Sequence, residues 1–329
     1  MPDRYAQINH NPGAVAVRAW RGCPCVRLAY ADTMSLRIAV VVATHGRGEF
    51  IGHILQHLLL QSRAPDIVCV SGVDESDVQG ARRVPGLSLR IVFGPKGLTT
   101  QRNTGVRCVL SEADAIVFFD DDFLPSRTWL QRLEMLLLEH PRILGVMGNT
   151  LADGCSCAAI DLADAERLIC AYDAATAQPT NEFAPIAKLY GCNMAYRASL
   201  FARLRFDERL PLYGWLEDSD FSYRVSELGP IVKARDLWGV HLGLKTSKIS
   251  DVKLGVSQVV NPLYLYFKGS VPLRDATRLL LRPLLKNIIK VFSPEPFIDR
   301  RGRLWGNVLG LKYVLRGRVD PAAILEVEN

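Results

Sequence analysis

The apolar run Ala115-Ile116-Val117-Phe118-Phe119 stops abruptly on Asp120-Asp121-Asp122. A short run of that character reads as a buried strand, so the three carboxylates concentrate negative charge at a sheet edge. Left unneutralised, they repel one another strongly. The economical explanation is a hard divalent cation, bound through oxygen and bridging to phosphate oxygens. The alternative is a solvated turn leading into a helix over 127–139, with Ser126 as its cap. A cap needs one carboxylate, not three.

The elements around this run fix the fold class. Residues 37–43 form a β-branched run, as expected of a strand buried on both faces. The loop Thr44-His45-Gly46-Arg47-Gly48 follows, then a helix with Phe50, Ile51, Ile54, Leu55, Leu58 and Leu59 on one side. Strands are expected at 67–70, 89–93 and 115–119, with a helix over 98–111 between the last two. Alternating strand and helix means right-handed crossovers and a mostly parallel, Rossmann-like sheet covered on both faces. Ligands of such sheets sit beyond the carboxyl ends of the strands. Thr44, Ser71, Asp74 and Asp120 to Asp122 all fall there.

The second half is less regular. A helix over 127–139 precedes a strand at 143–147, and 150–185 carries no assignable pattern. A strand over 189–196, interrupted at Gly191, comes next. Trp215-Leu216-Glu217-Asp218-Ser219-Asp220 opens a helix with Phe221, Val225 and Leu228 inward, ending at Gly229. Two short strands, 231–234 and 237–241, deliver His241. The expected organisation is a loose extension over 1–34, a catalytic domain over 35–250 (halves 35–122 and 123–250), and a basic helical region over 251–329.

The chain has 329 residues, 49% of them hydrophobic, which suits a globular protein. The net charge of +6 is uneven: between Lys268 and Arg318 there are twelve Lys/Arg and three Asp/Glu, a local net of +9. Of eight cysteines, Cys69 and Cys108 fall in apolar segments and are expected to be buried. The pairs Cys23/Cys25 and Cys155/Cys157 lack the C-x-x-C spacing of structural zinc sites. A reducing cytoplasm fits this usage. Residues 1–34 carry Asp3, Arg4, Arg18 and Arg21 and no apolar core, so no secretory signal is expected, and Met34 is a candidate native start. No apolar run reaches the roughly 18 residues of a membrane-crossing helix.

Five pieces stand in a telling order: 42–47 at the first strand end, Gln101-Arg102-Asn103-Thr104-Gly105, the aspartate run with Pro125 and Trp129 behind it, 191–197, and Glu217-Asp218-Ser219-Asp220 with Arg224. Together, across about 37–241, they resemble the inverting glycosyltransferases of family 2, which have the GT-A fold. The resemblance implies that Asp120 and Asp122 form the Asp-x-Asp motif, with Asp122 the direct ligand of a metal that neutralises a nucleotide-sugar diphosphate. His241 resembles the histidine that some members use as a further metal ligand; a satisfied core histidine is the plainer reading. Oxygen and imidazole together favour Mn²⁺, with Mg²⁺ also suitable. Asp218 resembles the general base, with Glu217 next, and helix capping is the competing role.

The matching arginine of the family lies near the nucleotide, which implies the same for Arg102, against a merely solvated helix arginine. Thr44, Arg47, Ser71, Asp74 and Asp121 are the other candidates for the nucleotide. The chain departs from the family after the second strand, where Asp-x-Gly-Ser-x-Asp is replaced by Ser71-Gly72-Val73-Asp74-Glu75-Ser76-Asp77.

In the tail, Arg278, Arg282, Lys286 and Lys290 recur every four residues beside Leu281, Leu284, Leu285, Ile288 and Phe292. That is the pattern of an interfacial amphipathic helix meeting an anionic membrane surface, kinked or restarted at Pro283; the alternative packs those leucines on the domain. Interleaved aromatics and a nucleic-acid motif are missing, so no nucleic-acid partner is expected. The expected function is metal-dependent transfer of a sugar from a nucleotide diphosphate sugar to a hydroxyl of a lipid-linked saccharide. The setting would be envelope or exopolysaccharide synthesis, at the cytoplasmic face of the membrane. The rivals are a sugar-nucleotide nucleotidyltransferase, which would want a glycine-rich phosphate loop where 43–48 is short, and a non-catalytic nucleotide-sugar binding partner.

Overall fold

Along the first strand, side chains alternate between two cores. In the computed structural model, which describes residues 35–175, 180–246 and 249–328, Ile38, Val40 and Val42 enter one hydrophobic cluster and Ala39 and Val41 enter another. A strand buried on both sides must belong to a central sheet. The proposed extension over 1–34, the Met34 start and Cys23/Cys25 lie outside the described residues.

The elements run β1 (Ile38–Ala43), α1 (Ile51–Leu59), β2 (Ile67–Gly72), β3 (Leu89–Phe93), α2 (Leu98–Val109), β4 (Ala115–Asp120), β5 (Phe123–Pro125), α3 (Trp129–Glu139) and β6 (Gly145–Asp153). Then come α4 (Leu162–Ala175), β7 (Phe183–Pro185), β8 (Asn193–Arg197), α5 (Glu217–Ser226), β9 (Ile231–His241), α6 (Asp251–Lys268), α7 (Leu273–Lys290) and α8 (Arg300–Leu315). The sheet order is β3-β2-β1-β4-β8-β6-β9-β5, with β7 also on β9. β3, β2, β1 and β4 are parallel. β8 enters antiparallel between β4 and β6, and β9 lies parallel to β6. Residues of α1 and α3 fill one face of the sheet; α2 and α5 fill the other.

Close approach explains one glycine. α2 lies against β1 so tightly that a Cβ on Gly105 would overlap Val41 Cγ1. Gly105→Ala is expected to lower stability by roughly 1–3 kcal/mol through overpacking, a loss that chemical or thermal unfolding would register.

Several sequence expectations change. The region 150–185 is not patternless: β6 continues to Asp153, and α4 and β7 follow. The strand expected at 189–196 begins only at Asn193, because the Gly191 amide and carbonyl bond to Asp218 and Arg102 instead of a ladder. The two strands at 231–241 are one, β9, whose pairing to β6 shifts register between Met147 and Asn149 and again between Thr150 and Ala152. α5 ends before Leu228, which is 57% exposed and not part of its inner face. Cys69 is buried as expected, but Cys108 is only half-buried. The capping alternative for the aspartate run also fails. A strand, β5, intervenes, α3 starts at Trp129 with no side-chain cap, and the buried Ser126 hydroxyl has no partner.

Candidate functional site

Register builds the site. Ala43 of β1 pairs with Ser71 of β2 and with Asp120 of β4, so three strands end together and place the loop after β1 beside the aspartates. Immediately after the run, Phe123 of β5 pairs with His241 at the end of β9. The Leu242 amide donates to the Asp122 carbonyl at 2.9 Å. β6 brings Asp153 into register with the same His241. Residues far apart in sequence therefore meet through ordinary strand pairing.

Asp120, Asp122 and His241 converge, with one donor atom from each inside 4.8 Å of the others. His241 Nε2 is 3.2 Å from Asp122 Oδ1 and 3.9 Å from Asp120 Oδ2. Burial works against the charge of Asp122, but His241 and Arg47 together with the Leu244 amide hold its carboxyl down to about 2. Burial likewise opposes protonation of His241, yet Cys192, Asp122, Asp153 and Cys155 raise it well above the usual imidazole value. The cluster is a place where positive charge is favoured. A donor set of two carboxylates and one imidazole fits a divalent metal such as Mn²⁺.

Asp121 takes no part in that cluster. It is buried, accepts from Thr44 Oγ1 at 2.8 Å and from Arg47 Nη1 at 2.6 Å. Burial pushes its carboxyl up to about 6 despite Arg47, with Asp122 adding to the rise. Arg47 also reaches Asp122 at 3.3 Å and donates to the Leu244 and Thr246 carbonyls, so it ties the chain after β9 to the aspartates.

The other face of the site is α5. Its first turn follows Leu212 and Leu216, both in the left-handed region at φ 56° and 74°, which is strained for leucine and common at functional sites. Asp218 is half-buried; its Oδ2 accepts from the Gly191 amide at 3.0 Å and its Oδ1 from the Ser219 amide at 2.6 Å. Glu217 is buried against Arg102. Burial raises its carboxyl to about 8 although Arg102 opposes, and the charge of Asp218 adds to the rise. Asp220 also lies in the first turn of α5. It is a buried anchor, paired with Arg224 at 2.7 Å and Lys268 at 2.8 Å.

Burial distinguishes the candidates for the nucleotide. Arg102 is only 2% exposed, which rules out the alternative of a solvated helix arginine. It bridges Glu217, Asp120 (2.9 Å) and the Gly191 carbonyl (2.9 Å), and lies 5.6 Å from the Phe206 ring centroid. Thr44, Ser71 and Asp121 are buried too and support the rim from below. Asp74 is exposed, but its carboxylate accepts from the Ser76 amide at 2.8 Å and caps a short 3₁₀ turn.

The sequence reading missed Asp77, Gln101 and Asp153. Asp77 accepts from the Gly46 and Val73 amides at 2.6 and 2.8 Å and lies 3.1 Å from His45 Nδ1, linking the loops after β1 and β2. Gln101 donates to the Thr44 and Ser71 carbonyls. Asp153 Oδ1 lies 3.1 Å from His241 Nδ1, and its Oδ2 accepts from the Tyr190 hydroxyl at 3.2 Å. Cys155 Sγ is 3.5 Å from the same ring nitrogen. Asp77 and Gln101 stood inside motifs already singled out; Asp153 carried no signal at all.

Solved structures share this fold. The first residues 1–349 of S. aureus TarS are 15% identical, align over 88% of this chain and 82% of that one, and give a TM-score of 0.53. The same protein in complex with UDP-GlcNAc is 12% identical over 86% and 93%, at 0.52. GalNAc-T7 with UDP, GalNAc and Mn²⁺ is 11% identical over 86% and 57%, at 0.53. The fold is GT-A. No curated protein sequence matches the chain. The model of the family described as glycosyl transferase family 2 matches residues 39–205. That segment is just over half of the chain and runs from the second residue of β1 through β8 with the whole aspartate run, so this protein belongs to glycosyl transferase family 2.

Proposed function

We propose that the protein transfers a glycosyl group from a nucleotide diphosphate sugar to a hydroxyl of a saccharide, with inversion at the anomeric carbon. The observation that carries this reading is Arg102, a single buried cation in contact with both Asp120 of the aspartate run and Glu217 beside Asp218. It holds the cation-favouring cluster and the candidate base in one fixed relation. Such pre-set geometry is what a direct displacement requires.

A divalent metal, Mn²⁺ or Mg²⁺, held by Asp120, Asp122 and His241 would neutralise the diphosphate and make it a better leaving group. Asp218 takes the proton of the acceptor hydroxyl as the new C–O bond forms and the bond to the diphosphate breaks. The backbone amides of Gly191 and Ser219 fix its carboxylate for that task. Glu217 and Arg102 keep the first turn of α5 in place. Arg47, with Asp121 and Thr44, braces the loop that carries the ligands. TarS holding UDP-GlcNAc and GalNAc-T7 holding UDP make uridine nucleotide-sugars the first donors to try.

Asp153 supports the metal ligand from behind. By accepting a hydrogen bond from His241 Nδ1–H, it fixes the tautomer that turns the Nε2 lone pair toward Asp122. Asp153→Ala is expected to weaken Mn²⁺ binding by about 10–100-fold while the melting temperature stays within a few degrees, read by calorimetric titration of the metal without nucleotide.

For the acceptor, the reading is a lipid-linked saccharide in envelope or exopolysaccharide synthesis, met at the cytoplasmic face of the membrane. The basic, leucine-bearing α7 supports this. No helix among the described residues is long and apolar enough to cross a bilayer. A panel of nucleotide-sugars, scored for metal-dependent nucleotide release and for thermal stabilisation, tests the proposal. Stabilisation and release by one donor are expected. Pyrophosphate release from a nucleoside triphosphate with a sugar phosphate would overturn it in favour of a nucleotidyltransferase, and binding without turnover in favour of a non-catalytic partner.

A further inference from the structure

The helices α7 and α8 are built with their large apolar side chains outward. α8 meets α6 through Gly306 and Gly310, two of its buried positions. A Cβ on Gly306 would overlap the Val252 carbonyl, and one on Gly310 would lie 2.9 Å from Val259 Cβ. Contact this close confines the seam itself to small residues; Leu309, Tyr313 and Val314 pack beside it, while α8 carries Trp305, Val308, Leu311 and Leu315 exposed. α7 repeats the inversion. Its buried positions are Ala276 and Asn287, and Asn287 is held by Gln258, Asn307 and Arg300. Leu281, Leu285, Ile288 and Ile289 stay exposed, and Phe292 just beyond the helix is 88% exposed. Leu279 packs beside Leu265 and Leu216 and Leu284 is half-buried, whereas Leu281 and Leu285 do not pack on the domain.

Basic residues share these outward faces. No Asp or Glu occurs in 276–294 or in 300–318. Arg282, Lys290, Arg301, Lys312 and Arg316 are in no ion pair among the described residues. Two such faces from two copies of the chain would repel through their like charges. Apart from Phe292 and Trp305 the outward apolar side chains are aliphatic, which makes a poor stacking platform for a nucleic acid. A surface that is apolar within and anionic at its boundary matches both properties, and Trp305 is of the residue type that favours that boundary.

We propose that α7 and α8 together form a docking surface for an anionic lipid bilayer. Both helices pack on α6, which reaches the catalytic side directly: Asn261 donates to the Trp215 carbonyl at 2.8 Å, two residues before Glu217. Docking would therefore set the α5 end of the site near a membrane-borne acceptor. Only this last step rests on the glycosyltransferase reading; the docking itself does not.

The test is flotation of the full chain with vesicles of phosphatidylglycerol and phosphatidylcholine, or of phosphatidylcholine alone. At low salt, binding is expected to the anionic vesicles only, with loss near 1 M salt, where the Debye length is about 3 Å. Each basic residue near the surface is worth roughly fivefold in affinity. Replacing Arg301, Lys312 and Arg316 by Gln should therefore weaken binding about a hundredfold, and the matching replacements at Arg278, Arg282, Lys286 and Lys290 about six hundredfold. Trp305→Ser with Leu315→Ser should weaken it while the melting temperature and donor-induced stabilisation are kept, which separates this proposal from the catalytic one. Equal binding to both vesicle types, no binding to either, or an α8 variant that binds like the parent would overturn the two-helix surface. So would a stable dimer in sedimentation that these exposed-face variants dissociate.

Discussion

Asp218→Asn is expected to keep the fold and the donor affinity and to lower turnover roughly a hundredfold or more. The side chain stays the same size, and its remaining oxygen can still accept from the Gly191 or Ser219 amide. Stability should therefore change by less than about 1 kcal/mol. What is lost is the ability to take a proton, which matters only in the chemical step. Glu217→Gln supplies the contrast. It removes one of the two carboxylates that flank a buried guanidinium while Asp120 remains, a change expected to cost about 1–3 kcal/mol, so its defect should appear first in the melting temperature. Initial rates at saturating donor and acceptor, with donor affinity measured separately, tell the two apart. Full turnover by the Asp218→Asn variant would remove Asp218 from the role of base.

The parts of this fold that were readable in the sequence are those whose signal is local. Residues 38–43 are apolar at every position because both faces of β1 are buried, and a continuous run is visible without any knowledge of partners. The aspartates were visible for the opposite reason, since three adjacent carboxylates after such a run have few structural uses. What stayed hidden depends on pairing between distant segments. Asp153 becomes a neighbour of His241 only because β6 and β9 are parallel and twice shifted in register, and no periodicity in 150–185 reports that. β5 is three residues long and owes its existence to β9. Burial of polar groups was equally out of reach. Arg102 sits two residues after Thr100 on a helix of mixed polarity, and nothing local distinguishes a solvated arginine from one enclosed by Glu217, Asp120 and Phe206. The outward leucines of α7 illustrate the converse. Their spacing fits a packed helix as well as a docking one, and only the glycine contacts of α8 and the small buried edge of α7 decide which face is inside.

Asp122→Ala is expected to abolish Mn²⁺-dependent binding of a nucleoside diphosphate. The loss should exceed the 10–100-fold typical of removing a group behind a metal-bound histidine, because here a donor atom itself disappears. The fold should survive. Arg47 keeps Asp121 as its partner at 2.6 Å, and the Leu244 amide loses its acceptor, a penalty of about 1–3 kcal/mol that is partly offset by relief of repulsion among neighbouring carboxylates. Asp121→Asn is the informative control. Its carboxylate faces Arg47 and Thr44, away from the cluster, so it should lower stability and leave metal-dependent binding largely intact. Calorimetric titration of UDP with and without Mn²⁺ reads both variants. Binding by the Asp122→Ala variant as tight as the parent's would show that the run serves only to brace the loop. The reverse pattern, with Asp121→Asn losing the metal and Asp122→Ala keeping it, would mean that the ligand is the middle aspartate and that the geometry joining Asp122 to His241 has another purpose.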